Sequence, residues 1–397
     1  MEDTLARYRR VLGNDHVVTL RLAHSCAARL RAQGAYQRAR ELDEDTLGRY
    51  RRVLGDDHPA TLSSAENLAA DCSALGDYEQ AHQLDEQVLT RRRQTLGDDH
   101  PDTLRSAHHL AVDLRALGEV AQACLLHQDT VARQRRVLGA DHPDTLDSAH
   151  HLARQLRALG QHEQARALDD DTLIRRRRVL GDNHPDTLRS AHNLAVDYRL
   201  LGDHHRAHRL HADTLDRQRR VLGDDHPDTL RSANNLATNL GALGQHHQAR
   251  QLHQNTLARR RRVLGDDHPS TLRCAHNLAA DLHALGEYPQ ARDLNEDTLA
   301  RCRRVLGEDH PATVLTATNL ASTLRALGDH QQAHHLENEI RPTRAGLSPT
   351  PRDRRSRRDS TGQQPDSTQH LAGHRTDPHH HPDPDDEESE TRPWRPL

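Results

Sequence analysis

The chain repeats itself every 42 residues, and that period fixes most of what it can fold into. A string close to Val-Leu-Gly-x-Asp-His-Pro-x-Thr-Leu returns with its glycines at Gly13, Gly55, Gly97, Gly139, Gly181, Gly223, Gly265 and Gly307. A second glycine series runs in phase, from Gly34 and Gly76 through to Gly328. Nothing is inserted or deleted between copies. A strict period of roughly 20–50 residues marks stacked supersecondary units rather than a globule around one centre.

Each unit reads as two helices. In the fourth copy Pro143 opens helix A, the first-turn position that proline favours. Leu146, Ala149, Leu152, Ala153, Leu156 and Leu159 then mark one helical stripe. Gly160 stops it, as a glycine just past a helix end does. Helix B follows; in the second copy Tyr78, Ala81, Leu84, Val88, Leu89 and Leu96 line it over about 18 residues, or roughly 27 Å. Gly97 closes it, and Asp98-Asp99-His100-Pro101 turns the chain into the next unit. The pattern predicts an all-α solenoid of antiparallel helix pairs. Residues 1–16 form a partial helix B stub or cap, so the chain starts mid-unit, and either the stub caps the array or the polypeptide begins upstream. Residues 17–341 hold eight repeats. Residues 342–397, rich in Pro, Arg, Asp, His and Ser, are expected to be a disordered tail.

Composition supports the thin core of a solenoid: aromatics are 2% of the chain and Phe is absent. The net charge of -4, with 29% charged residues, exerts no global pull toward nucleic acid or anionic lipid. No run approaches the roughly 18 apolar residues that a membrane helix needs. Cys26, Cys72, Cys124, Cys274 and Cys302 form no short pair, which suits reduced thiols and a cytoplasmic location. All 55 basic residues are arginine. Without lysine the chain holds no P-loop and no Schiff-base chemistry. A Ser or His that recurs in every copy is architecture rather than a unique active site, so no enzyme, no catalytic residue, no cofactor and no metal centre is expected.

Asn67-Leu68-Ala69 in helix A, followed by Gly76-Asp77-Tyr78-Glu79-Gln80-Ala81, resembles the tetratricopeptide repeat. The 42-residue period and the Leu-Gly-x-x-His-Pro linker are similar to the kinesin-light-chain type, and actinobacterial proteins that join such repeats to a nucleotide-binding switch domain carry similar arrays. The resemblance covers residues 1 to about 341. It implies a right-handed superhelix whose helix A faces line a concave peptide-binding groove, and a protein or peptide partner.

Polar residues that recur in phase on helix A are the candidates for that face. One position holds Ser25, Asn67, His109, His151, Asn193, Asn235, Asn277 and Asn319. Asn is a mediocre helix former, so its retention needs a reason. A carboxamide ladder can bond an extended peptide's backbone, or it can bond one repeat to the next. One turn earlier stand Arg105, Arg189, Arg231 and Arg273, on the same helical face. Tetratricopeptide domains that grip C-terminal carboxylates carry a basic residue and an Asn at this spacing, so the resemblance implies an acidic or carboxylate-bearing ligand; a solvated arginine is the alternative.

Other signals carry blander readings. The linker histidines, His16, His58, His100 and onward, lie a repeat apart, roughly 10 Å, too far to share one ion, and are expected to cap helices. His108-His109 and His150-His151 are the pairs that could approach across repeats, and the His379-His380-His381 run could hold metal weakly. Arginine runs such as Arg175 to Arg178 and Arg259 to Arg262 end helices, where cations are favoured, and acidic linkers follow. A nucleic-acid ridge is the alternative; the stacking aromatics of single-strand binders are missing. Three functions follow in order: an interaction scaffold, a sensor arm of a larger switch protein, and a basic-ridge nucleic-acid binder.

Overall fold

The computed structural model describes residues 2–346, and among them it holds seventeen helices and no strand. The chain divides into two units, one running to Leu210 and the other from His211. The first contains α1 (Glu2–Leu12), α2 (Val17–Ala32), α3 (Tyr36–Leu54), α4 (Pro59–Ala74), α5 (Tyr78–Leu96), α6 (Pro101–Ala116), α7 (Val120–Val137), α8 (Pro143–Ala158), α9 (His162–Leu180) and α10 (Pro185–Leu200). Helix α11 (His204–Leu222) spans the division. The second unit continues with α12 (Pro227–Ala242), α13 (His246–Leu264), α14 (Pro269–Ala284), α15 (Tyr288–Leu306), α16 (Pro311–Ala326) and α17 (His330–Gly346). Even-numbered helices are the A helices and odd-numbered ones the B helices. The expected tail over 342–397 falls largely outside the described residues; its first five continue α17.

Local chemistry explains where the A helices start and stop. The linker histidine caps the A helix: His142 Nδ1 accepts from the Asp144 amide at 3.2 Å, and His58, His100, His184, His226, His268 and His310 act alike. Thr145 Oγ1 then donates back to the Gly139 carbonyl at 2.9 Å, pinning the turn. At the other end Gln161 N reaches Leu156 O at 2.8 Å and Gly160 N reaches Arg157 O at 3.0 Å, the paired bonds of a Schellman motif. Gly181 closes α9 at φ 87 and ψ 165, a region essentially reserved for glycine. The capping role makes a modest prediction. His142→Ala should cost about 1 kcal/mol in chemical denaturation while His142→Asn, which keeps an acceptor, costs less; equal stability of all three proteins would remove the cap from the account.

Packing is quasi-one-dimensional. Leu89 of α5, Ala107, Leu110 and Leu114 of α6, and Ala123 of α7 form one buried cluster. Val131, Ala149, Leu152, Leu156 and Ala165 form the next in register. Each cluster needs three consecutive helices, so no single repeat could bury its own apolar face. Within each unit the A helices also touch one another, α6 against α8 and α12 and α16 against α14. All five cysteines are buried and unpaired with each other.

Candidate peptide-binding face

Stacking the A helices brings the in-phase asparagines into inter-repeat bonds. In the first unit Asn67 Nδ2 meets His24 Nε2 at 2.9 Å, and Asn193 Nδ2 meets His150 Nδ1 at 3.4 Å. In the second, Asn277 Nδ2 donates to Asn234 Oδ1 at 3.5 Å, and Asn319 Nδ2 meets His276 Nε2 at 3.1 Å. Each amide therefore reaches the residue just ahead of the ladder position in the preceding repeat. Asn193 and Asn235 are buried, whereas Asn67, Asn277 and Asn319 keep part of their surface. The ladder thus holds neighbouring A helices together, whatever else it contacts.

Of the arginines one turn earlier, Arg105 and Arg189 are open and Arg231 is buried. The side chains of Arg105 and Arg189 remain 43% and 36% exposed, while that of Arg231 is 10% exposed. Each meets the Asp at the start of its own helix: Arg105 with Asp102 at 2.7 Å, Arg189 with Asp186 at 3.0 Å, and Arg231 with Asp228 at 2.9 Å. Arg273 is half-buried on α14, where Ser270 stands in place of that Asp. Because α12 packs beside α14, Arg231/Asn235 and Arg273/Asn277 lie on neighbouring helices.

The arginine runs have a different fate. Asp99 receives Arg133 at 3.0 Å and Arg136 at 2.7 Å, and Asp225 receives Arg259 at 2.8 Å and Arg262 at 2.5 Å. These linker aspartates belong to the preceding repeat, so the runs lace adjacent repeats. Within each run one arginine turns inward: Arg92 is buried, and its two nitrogens meet the Glu66 oxygens at 2.5 and 2.8 Å. A ridge so neutralised is a poor phosphate track.

A column of buried polar pairs was not singled out from the sequence. Arg31 holds Asp43 and Asp71, both at 3.2 Å, and Arg157 holds Asp169 at 2.8 Å and Asp197 at 2.6 Å. Where Ser73 replaces the arginine, Asp85 and Asp113 face each other and Ser73 Oγ donates to Asp113 at 2.7 Å. Elsewhere the partners change together: His127 with Gln155 at 3.0 Å, and His253 with Asp281 at 2.6 Å. Burial pushes Asp43 up to about 8 and Asp71 and Asp113 to about 6, and it raises Asp85 and Asp169 well above the carboxylate range. The raised values of Asp43 and Asp85 favour a proton shared with Asp71 and Asp113. The sequence signal was a polar residue recurring in phase on helix B and another on helix A.

The histidines of α6, α7 and α8 also meet. The His108 ring lies 5.0 Å from that of His151 and 5.1 Å from that of His127, centroid to centroid. His109 and His150 flank them at 5.7 and 5.6 Å. His108, Asp147 and His151 place one ligand-type atom each within 4.8 Å of one another.

Fold and face together define a helical-repeat solenoid whose A helices carry its in-phase polar chemistry. The chain belongs to the tetratricopeptide repeat family, which matches residues 30–94, 148–220, 209–253, 233–303 and 275–344 through one family profile and 103–144 through another. Repeats of this kind generally mediate protein–protein interactions, which suggests a protein-interaction scaffold. Among solved structures, a Podosopora anserina protein of nearly identical TPR-like repeats, described as a kinesin light chain, is 34% identical; the match covers 51% of this chain and 95% of that one, with a TM-score of 0.46. The quorum sensor NprR from B. thuringiensis shares the fold at 13% identity, over 86% of this chain and 92% of its own, with a TM-score of 0.64. A signal transduction ATPase with a tetratricopeptide repeat sensor, from Pyrococcus horikoshii, is 12% identical over 87% of this chain and 52% of its own, with a TM-score of 0.55. The comparison with curated proteins finds no match. Among the described residues no helix is long and apolar enough to cross a membrane.

Proposed function

We propose that the A-helix face binds an extended peptide that is acidic or presents a C-terminal carboxylate. The observation that carries this reading is the pair of neighbouring helices α12 and α14, each bearing an arginine with an asparagine one turn on. Ser270 in place of an aspartate makes the α14 end of this stretch more basic. A guanidinium can present two parallel N–H donors to a carboxylate. In the first unit Arg189/Asn193 repeats the pair, with Arg105/His109 as a partial case.

An array of peptides with free or amidated C-termini tests it. The wild-type chain should retain acidic or free-carboxylate peptides. The Arg231→Glu/Arg273→Glu double variant should bind the same peptides at least about tenfold more weakly, the equivalent of about 1.4 kcal/mol. Retention of affinity by the double variant removes the arginines from the site. A second reading, a ligand-sensing arm of a larger switch protein, draws support from the fold shared with a repeat-bearing signalling ATPase and a quorum sensor. A neighbouring reading frame encoding a P-loop domain, and a complex of the two products, distinguishes it from a free-standing scaffold.

A further inference from the structure

We propose that His108, Asp147 and His151 form a site for a divalent transition-metal ion, with zinc as its natural probe, at the junction of α6 and α8. The repeat supplies its own controls. The same three places hold His150, Arg189 and Asn193 one junction later, and Asn234, Arg273 and Asn277 in the second unit. Those sets contain a guanidinium where Asp147 stands and an amide where His151 stands. Only at the α6–α8 junction does the stack turn this triple into two imidazoles and a carboxylate, a donor set that suits zinc with a fourth position left for water.

The geometry is near that of a loaded site. The three ligand-type atoms lie within 4.8 Å of one another, whereas ligands about 2 Å from a tetrahedral zinc stand about 3.3 Å apart. Asp147 turns Oδ2 toward His108 Nε2 at 3.6 Å, while its Oδ1 faces Arg176 at 3.4 Å and Arg189 at 3.5 Å. The far nitrogen of His108, Nδ1, meets Ser148 Oγ at 3.0 Å and His127 Nε2 at 3.2 Å. Outer partners of this kind fix ring and carboxylate orientation around a metal. The side chain of Asp147 is 42% exposed and gives the ion a way in from solvent. The two guanidiniums beside it oppose a cation, so the site is an exchangeable one rather than a structural clamp.

The test uses the full chain with His379, His380 and His381 changed to Ala, so that this histidine run does not contribute. Zinc is titrated calorimetrically, and cobalt is added separately for its visible absorption. The parent should take up one equivalent at this site and show cobalt bands of low coordination number. Asp147→Arg with His151→Asn, the residues that the next repeat carries at these places, should weaken zinc at least tenfold and abolish the bands, with helicity unchanged by circular dichroism. Should that pair disturb folding, His108→Asn, which copies Asn234, serves as the second variant with the same expected loss. Equal zinc titrations in the parent and a folded variant, or no uptake by the parent, overturn the proposal.

Discussion

Arg157→Ala should destabilise the first unit by about 3–5 kcal/mol, because it removes the one cation between two buried carboxyls. Arg157 donates from Nε to Asp197 and from Nη2 to Asp169, and its own side chain is only 9% exposed. Both aspartates have side chains with no exposure at all. Without the guanidinium the pair has to take up further protons or stay charged in a low-dielectric interior, and either is costly. The loss should be local. In a repeat array each unit contacts only its neighbours, so hydrogen exchange should accelerate in α8, α9 and α10 well before helices several repeats away. A triple replacement by apolar residues, Arg157→Met with Asp169→Leu and Asp197→Leu, should recover most of the stability, since a buried ionic group often stabilises no better than a packed apolar one. A change under about 1 kcal/mol for Arg157→Ala would show that the triad contributes little.

The opposite sign is expected at the carboxyl pair two repeats earlier. Asp85→Asn should stabilise the chain by about 2 kcal/mol at pH 8, because Asp85 and Asp113 face each other with Ser73 where the other triads have arginine. Asn fits there, since Asn295 occupies the equivalent place in the seventh repeat, fully buried. The pH dependence follows from the direction of the shifts. Burial raises these carboxyls above their ordinary value of 3.8, so the native state holds their protons more tightly than the unfolded chain. Their contribution is complete below about pH 4 and is lost as the pH climbs through about 6 for Asp71 and Asp113 and about 8 for Asp43. Urea midpoints of the wild type should fall across that window, and Asp85→Asn should flatten the fall. A variant that is less stable than wild type at pH 8 contradicts the shared-proton picture.

The helices and their ends were legible because their causes are local. Pro143 at a first turn, Gly160 past a last one and His142 as a cap act within a few residues, and the period multiplies each signal. The arginine runs were legible in part: Arg93 meets Asp98 and Arg177 meets Asp182 in the linker that follows, whereas Arg133 and Arg136 reach Asp99 of the preceding repeat only through stacking. The asparagine ladder was visible as a recurrence, but its geometry was not. That Asn67 meets His24 depends on how far one A helix slides against the next, which no local rule encodes. The buried carboxyl pairs were missed because a polar residue in phase on helix B looks the same whether it faces solvent or the core. Asp43 and Asp71 meet only when helix B of one repeat packs on helix A of the next. Asp147 could have been noticed as the one acid in a column of arginines, yet its meeting with His108 is again a product of stacking.

Site-specific photo-crosslinking tests the central claim that the A-helix face takes the ligand. Ala280 lies on α14 in the stripe of Arg273 and Asn277 and is exposed, while Glu296 is exposed on the B helix α15. A photoreactive phenylalanine analogue is placed at one or the other in the full chain, and an acidic peptide selected from the array is added. Crosslinking from position 280 with none from position 296 is the expected result, and it should vanish in the Arg231→Glu/Arg273→Glu background. Efficient capture from position 296, with position 280 silent, contradicts the account and moves the binding surface to the B helices.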